Sequence, residues 1–222
     1  MVAEDWSQCR ARLDEGIRSL GFDLPVVSES LILYLKELAQ WNQTYNLTAV
    51  RDPLEMVSKH LLDSLAVLPH LHGSNIIDVG SGAGLPGIPL ALADSTIQGA
   101  RRFTLLDSNG KKAAFMRHAV RRLGLKQVEV VHARAEDHAA ALGRGGFDSV
   151  LSRAFSSLAE MLELAGPLCA LHGRILAMKG QFPQDELEDL RHAATGFELE
   201  GVVPLSVPGL AAERHLVLFS RA

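Results

Sequence analysis

The 222 residues suffice for one large domain, or one domain with a small accessory lobe, and not for two full-sized domains. With 47% hydrophobic and 22% charged residues the composition is that of a globular protein, which excludes long disordered, collagen-like and coiled-coil arrays. The net charge of -4 is unevenly spread: Arg101 to Arg134 holds nine Lys/Arg against Asp107 and Glu129, a local +7, so the remainder sums to -11.

Residues 1–72 read as helical. Glu4, Asp5, Asp14 and Glu15 interrupt the first 20 residues, and no run approaches 18 apolar residues, so neither a signal peptide nor a membrane span is expected and a cytoplasmic location is. Ser28 to Ala39 places its apolar residues on a 3.6 period with Ser28 at the N-cap position, and Pro53 to Leu68 repeats the pattern with proline at the start. From Asn75 the pattern changes to short apolar runs at 75–80, 103–107, 128–133, 147–153, 173–180, 196–205 and 215–220. Helix-like stretches at about 86–93, 109–123, 136–142, 157–170 and 183–194 separate all but the last two runs. This alternation predicts an α/β domain over 73–222: a sheet of about seven strands, mostly parallel, with helices on both faces. Pro204, Pro208 and Gly209 break the last interval, so the final two strands are expected as an antiparallel pair at one edge. No linker separates the helical segment over 1–72, which is therefore expected to pack on the sheet domain.

In an open parallel sheet ligands bind beyond the carboxyl ends of the strands. The first strand runs into Asp78-Val79-Gly80-Ser81-Gly82-Ala83-Gly84-Leu85-Pro86-Gly87. Gly80, Gly82 and Gly84 allow a tight turn and close approach of backbone to ligand, with a helix N-terminus directed at the same place. A dinucleotide fingerprint counted from Gly80 would need glycine at 85, where Leu85 stands; counted from Gly82 it is met, but only three residues beyond the strand and with Asp78 unexplained. The form apolar-apolar-Asp-Val-Gly-x-Gly-x-Gly instead suits S-adenosylmethionine, whose amino acid end needs no pyrophosphate cradle. Asp107 closes the second strand, where a carboxylate can accept both ribose hydroxyls, although Asp in such a position is often a turn residue; Ser108 or Asn109 could cap the next helix. After the third strand the backbone of Ala135 and Glu136 could meet an adenine edge, or simply open a helix with acids that suit its dipole. Arg153, after the fourth strand, could hold a carboxylate, a phosphate or a guanine edge, or be a surface ion-pair partner.

Cys9 and Cys169 form no Cys-x-x-Cys pair and read as small apolar fillers in a reducing compartment. No metal site is expected from the nine His, and His60 reads as a polar partner tying the helical segment to the sheet. The basic segment suits a polyanion, though a solvated helix face carries the same charges.

Several stretches together resemble the ribosomal RNA small subunit methyltransferase G (GidB) family: Trp41 to Thr48 (WNQTYNLT), His60 to Ser64 (HLLDS), Asp78 to Gly87, Leu105 to Ser108, Ser152 to Phe155, Met178-Lys179-Gly180 and Glu213-Arg214-His215. The resemblance spans residues 41–215 and is looser at Asn109 and Ala135. It implies a class I S-adenosylmethionine-dependent methyltransferase sheet, Rossmann-like, with an N-terminal helical extension. It also implies S-adenosylmethionine as donor, S-adenosylhomocysteine as product, and N7 of a guanine in 16S ribosomal RNA as acceptor, conventionally guanine 527. By position it puts cofactor contacts at Gly80, Leu85, Ala135, Glu136 and Arg153, and leaves Asn46, His60, Lys179, Arg214 and His215 at motif positions without an assigned role.

Guanine N7 carries a lone pair and no proton, so the implied reaction needs alignment and exclusion of water, not a general base. A donor to O6 would identify the base while leaving N7 free, and Arg153, Lys179 and Arg214 are the candidate catalytic residues for that contact. Trp41 or Tyr45 could stack on an extruded base, although aromatics at the end of an amphipathic helix more often belong to the core. The expected partner is 16S ribosomal RNA or the small ribosomal subunit, bound by a monomer without membrane contact. A small-molecule methyltransferase with a helical lid, or a non-catalytic module keeping the fold, would share the glycine turn; the intact Gly80, Gly82, Gly84 and Asp107 argue against the latter.

Overall fold

A computed structural model describes residues 6–24, 26–97, 99, 101–143, 145–153, 155–190 and 196–221. Its order is α1 (Trp6–Ser19), α2 (Val27–Tyr45), α3 (Pro53–Met56), a π-helical turn (Val57–Leu62), α4 (Asp63–Leu65), β1 (Asn75–Val79), α5 (Gly87–Thr96), β2 (Arg102–Asp107), α6 (Gly110–Leu123) and β3 (Val128–His132). Then follow α7 (Ala135–Leu142), β4 (Phe147–Ser152), α8 (Leu158–Leu164), β5 (Cys169–Lys179), α9 (Gln184–Leu190), β6 (Phe197–Pro204) and β7 (His215–Arg221). No helix among the described residues is long and apolar enough to cross a membrane.

The strands form one sheet in the order β3-β2-β1-β4-β5-β7-β6. β1 to β5 are parallel, while β7 runs antiparallel to both β5 and β6. The expected antiparallel pair at the edge is present, with β7 seated inside it. Alternate residues of each strand feed two cores, as the period of two requires. Ile76, Phe103, Leu105, Leu151, Leu176 and Leu216 face the helices α1, α2, α5 and α6 in one hydrophobic cluster, which thereby joins the N-terminal helices to the sheet. Ile77, Val79, Leu106, Val150, Ile175 and Val217 face the other way, toward α7 and α8.

Several expected boundaries shift for local reasons. Ser28 is not the cap of α2: the Val27 N–H already closes a turn onto the Leu24 carbonyl, Val26 takes the cap position, and Ser28 is buried in the first turn. Pro53 does begin its helix, with Asp52 accepting from the Leu54 N–H, but the path to Leu65 passes through a π turn. The helix expected over 157–170 stops at Leu164, because Pro167 opens a separate 3-10 turn, and β5 starts at Cys169 through an irregular stretch containing His172 at φ 63°. α9 is described to Leu190; residues 191–194 of the expected helix, and Ala154 of the turn after β4, lie outside the described residues. Cys9 and Cys169 are buried and not joined in a disulfide.

Candidate active site

The strand order reverses between β1 and β4, which opens a crevice at the carboxyl ends of the central strands. The glycine turn after β1 fills its floor. Gly80, Gly82 and Gly84 have φ of 71°, 60° and 85°, in the left-handed region that glycine alone visits without cost. The turn is fixed from below: Gly80 and Ser81 N–H donate to the Leu106 carbonyl, the Ser81 hydroxyl donates to the Asp78 carbonyl, and Gly87 N–H donates to Asp78 Oδ2 at 2.9 Å. Tyr34 of α2 donates its hydroxyl to the Ala83 carbonyl at 2.7 Å, and burial pushes that phenol far above its ordinary range. Asp78 is buried too, and the loss of solvent drives its carboxyl up to about 7 against the opposing pull of the Gly87 N–H.

The three glycines do different work. A Cβ on Gly82 would meet no protein atom closer than 3.9 Å and would stand in the cleft, whereas one on Gly84 would overlap the Ile88 side chain. Gly82 therefore lines open space and Gly84 permits the helix to pack. Asp107 joins this floor to the neighbouring strand: Oδ2 accepts from the Gly82 N–H at 2.8 Å, Oδ1 accepts from the Asn109 N–H at 2.8 Å, and Lys112 Nζ lies 3.8 Å away. Asn109 also caps α6.

One cleft of about 320 Å³ is lined by Gly80, Asp107, Ala135 and Glu136, together with Phe155. A second, of about 200 Å³, is lined by Gly80, Gly82, Leu85 and Arg153. Gly80 and Lys112 belong to both walls, so the candidate cofactor residues other than Gly84 line two adjoining clefts that meet at the glycine turn. The groups present fit S-adenosylmethionine: an open glycine backbone for its amino acid end, a carboxylate with unused lone pairs for the ribose, and an apolar wall for the adenine.

Arg153 also borders a third cleft of about 360 Å³, lined by Lys59, His60, Asp63, Lys179 and Arg214. β7 explains this gathering. Its antiparallel register sets His215 beside Lys179, so Arg214 arrives at the carboxyl end of β5 from the opposite chain direction. Arg153 and Arg214 converge on Asp63, whereas Lys179 donates to Glu186 at 2.8 Å. His215 Nδ1 lies 3.1 Å from the Gly180 carbonyl oxygen.

His60 does not tie the helices to the sheet as expected. Its Nε2 lies 2.9 Å from Thr48 Oγ1, within the N-terminal segment, and burial pushes its pKa down to about 4, aided by the nearby Arg153 cation. The tie is made three residues later by Asp63, just beyond the π turn that carries His60. Trp41 packs on Phe115 and His118 between α2 and α6, at ring distances of 5.5 and 5.1 Å, while Tyr45 is 43% exposed. Asn46 ends α2 in the left-handed region and accepts from Arg51. In the basic segment Arg101 pairs with Asp94 and Arg122 with Glu37, leaving Lys111, Arg117 and Arg121 on the exposed face of α6. Asp63, Lys112 and Tyr34 are the site residues that sequence reasoning left without a role; Asp63 at least sat inside a quoted motif.

The family profile described as rRNA small subunit methyltransferase G (GidB) matches residues 27–217. The chain belongs to that family. The ribosomal RNA small subunit methyltransferase G of Nitrosospira multiformis is 47% identical over 219 residues, covering 95% of this chain and 97% of the relative. That of Marinobacter nauticus is 44% identical over 218 residues, covering 98% and 97%. Membership makes the protein a small-subunit ribosomal RNA methyltransferase. Solved structures share the fold at low identity: an O-methyltransferase from Bacillus cereus in complex with SAH, at TM-score 0.59 and 19% identity, covers 85% of this chain and 90% of its own. A SAM-dependent methyltransferase from Aquifex aeolicus, at TM-score 0.53 and 20% identity, covers 73% and 91%. The seven-stranded sheet thus has the fold seen in these methyltransferases, with the N-terminal helices packed against it.

Proposed function

We propose that the protein transfers a methyl group from S-adenosylmethionine to N7 of a guanine in 16S ribosomal RNA, conventionally guanine 527, acting as a cytoplasmic monomer on that RNA or the small ribosomal subunit. The observation that carries this reading is the place of Arg153, which borders both the glycine turn and the cationic cleft of Lys179 and Arg214. In this reading residues 1–72 form an extension that builds one wall of the substrate cleft on the methyltransferase domain of residues 73–222, since Lys59, His60 and Asp63 all lie on it.

S-adenosylmethionine, when bound, supplies a methyl carbon activated by its sulfonium. The chain's own task is to hold and align. Gly80, Gly82 and Leu85 present backbone to the amino acid end, Gly84 lets the turn close on α5, Asp107 accepts the ribose hydroxyls, and Ala135 and Glu136 offer backbone at the adenine edge. Arg153, Lys179 and Arg214 are the donors placed to read guanine O6 and the flanking phosphates. N7 attacks with a lone pair it already has, so no side chain must remove a proton. His60 agrees with this: held neutral by burial, it is a hydrogen-bonding wall residue and not a cation competing for phosphate.

The test is methyl transfer from tritiated S-adenosylmethionine to purified 16S RNA and to small subunits, followed by mapping of the label. Label at guanine N7 is expected; turnover of a small acceptor with none on RNA overturns the proposal.

A further inference from the structure

One buried carboxylate has no task in the chemistry above. Asp63 is 1% exposed, and it is reached from two elements far along the chain. Arg214 Nε donates to its Oδ1 at 2.8 Å and Arg153 Nη1 donates to its Oδ2 at 3.2 Å. Fold stability alone is a poor reason for this arrangement, because the desolvation of a buried ion cluster offsets most of its Coulomb gain and apolar replacements are often equally stable. The partners are not sealed in with it. Their side chains are 31% and 25% exposed, and both line the substrate cleft. Among the described residues, Arg153 further donates to the Lys59 carbonyl and Arg214 to the Glu213 carbonyl, so each guanidinium commits two of its five N–H donors to the protein.

The geometry points to Asp63 as a positioning residue that fixes Arg153 and Arg214 side by side as one receptor for the acceptor oxygens of the RNA substrate. Without it two cations would repel each other across the cleft; with it they share an anchor that a flexible pair of long side chains lacks. The three charges sum to +1, which keeps the receptor attractive to RNA while preventing free rotation of either arginine. This inference rests on the proposed RNA methyl transfer.

The experiment is a mutant cycle read on 16S RNA. Asp63→Asn keeps the shape and removes the charge; kcat is expected to fall at least tenfold while KM for RNA stays level or drops, because the cleft becomes more positive. A merely structural role would instead reduce the folded fraction while leaving kcat per folded molecule at the wild-type level. In the Arg153→Gln, Arg214→Gln background, adding Asp63→Asn is expected to change kcat per folded molecule less than twofold, and to restore stability, since the double variant leaves Asp63 buried without a cation and the triple variant does not. A kcat within twofold of wild type for Asp63→Asn, or a further tenfold loss in the triple variant, overturns the inference. Wild-type protein that methylates no RNA would sink the function itself, a separate outcome.

Discussion

Replacing Asp78 by Asn exposes a charge cost hidden under the glycine turn. Asp78 is 1% exposed, and among the described residues its Oδ1 has no hydrogen-bond partner. Its carboxyl moves from the ordinary 3.8 to about 7. Between those values the native state keeps a proton that the unfolded chain has lost, so stability falls as pH rises from about 4 to about 7. Three pH units at about 1.4 kcal/mol each amount to roughly 4 kcal/mol. His60 acts in the opposite sense: moved from 6.5 to about 4, it is neutral in the native state while the unfolded chain is protonated, so stability rises over that interval. Its two and a half units amount to roughly 3 kcal/mol, so the wild-type profile masks both. Urea unfolding of wild type and Asp78→Asn, measured in parallel from pH 4 to pH 8, separates them. The stability of the variant relative to wild type is expected to climb by about 4 kcal/mol across the range. A difference that stays flat within about 1 kcal/mol would show that Asp78 is ionised in the fold at neutral pH, and would refute the burial argument.

Gly82→Val puts a branched side chain into the cleft at a φ of 60°, costing about 1–2 kcal/mol in backbone strain while blocking the ligand. Calorimetry should find S-adenosylmethionine affinity reduced at least a hundredfold in a folded variant, and unaltered affinity would contradict the assignment of this cleft. Arg117 and Arg121 lie one turn apart on the exposed face of α6. Changing both to Ala should reduce the slope of log affinity for 16S RNA against log salt by about 1.4 to 1.8, with cofactor affinity unmoved; an unchanged slope would return that face to plain solvation.

The sheet was legible because its signals are local. Apolar runs, glycine turns and proline breaks lie within a few residues of each other, and all seven strands appear at the expected places. The glycine turn and its carboxylate neighbour were legible for the same reason: Gly80 follows the last residue of β1, Gly82 lies two residues on, and Asp107 closes β2. What escaped depends on residues distant in the chain. Tyr34 meets Ala83 across 49 positions and Asp63 meets Arg214 across 151, and no periodicity encodes either contact. The tie to the sheet is made by Asp63 and not by His60, although both line the same cleft, and that choice depends on Arg153 and Arg214, 90 and 151 positions away. The early start of β5 is hidden by an irregular register that pairs Phe147 with Cys169 and then Ser149 with Arg174.

The place of β7 has a consequence for how the sheet edge depends on it. β6 precedes β7 in the chain yet has its sheet partner only in β7, so its place in the sheet rests on that strand. The same strand brings Arg214 to Asp63. One strand therefore completes both the sheet edge and the Arg153–Asp63–Arg214 cluster, so a change that dislodges β7 is felt in both places.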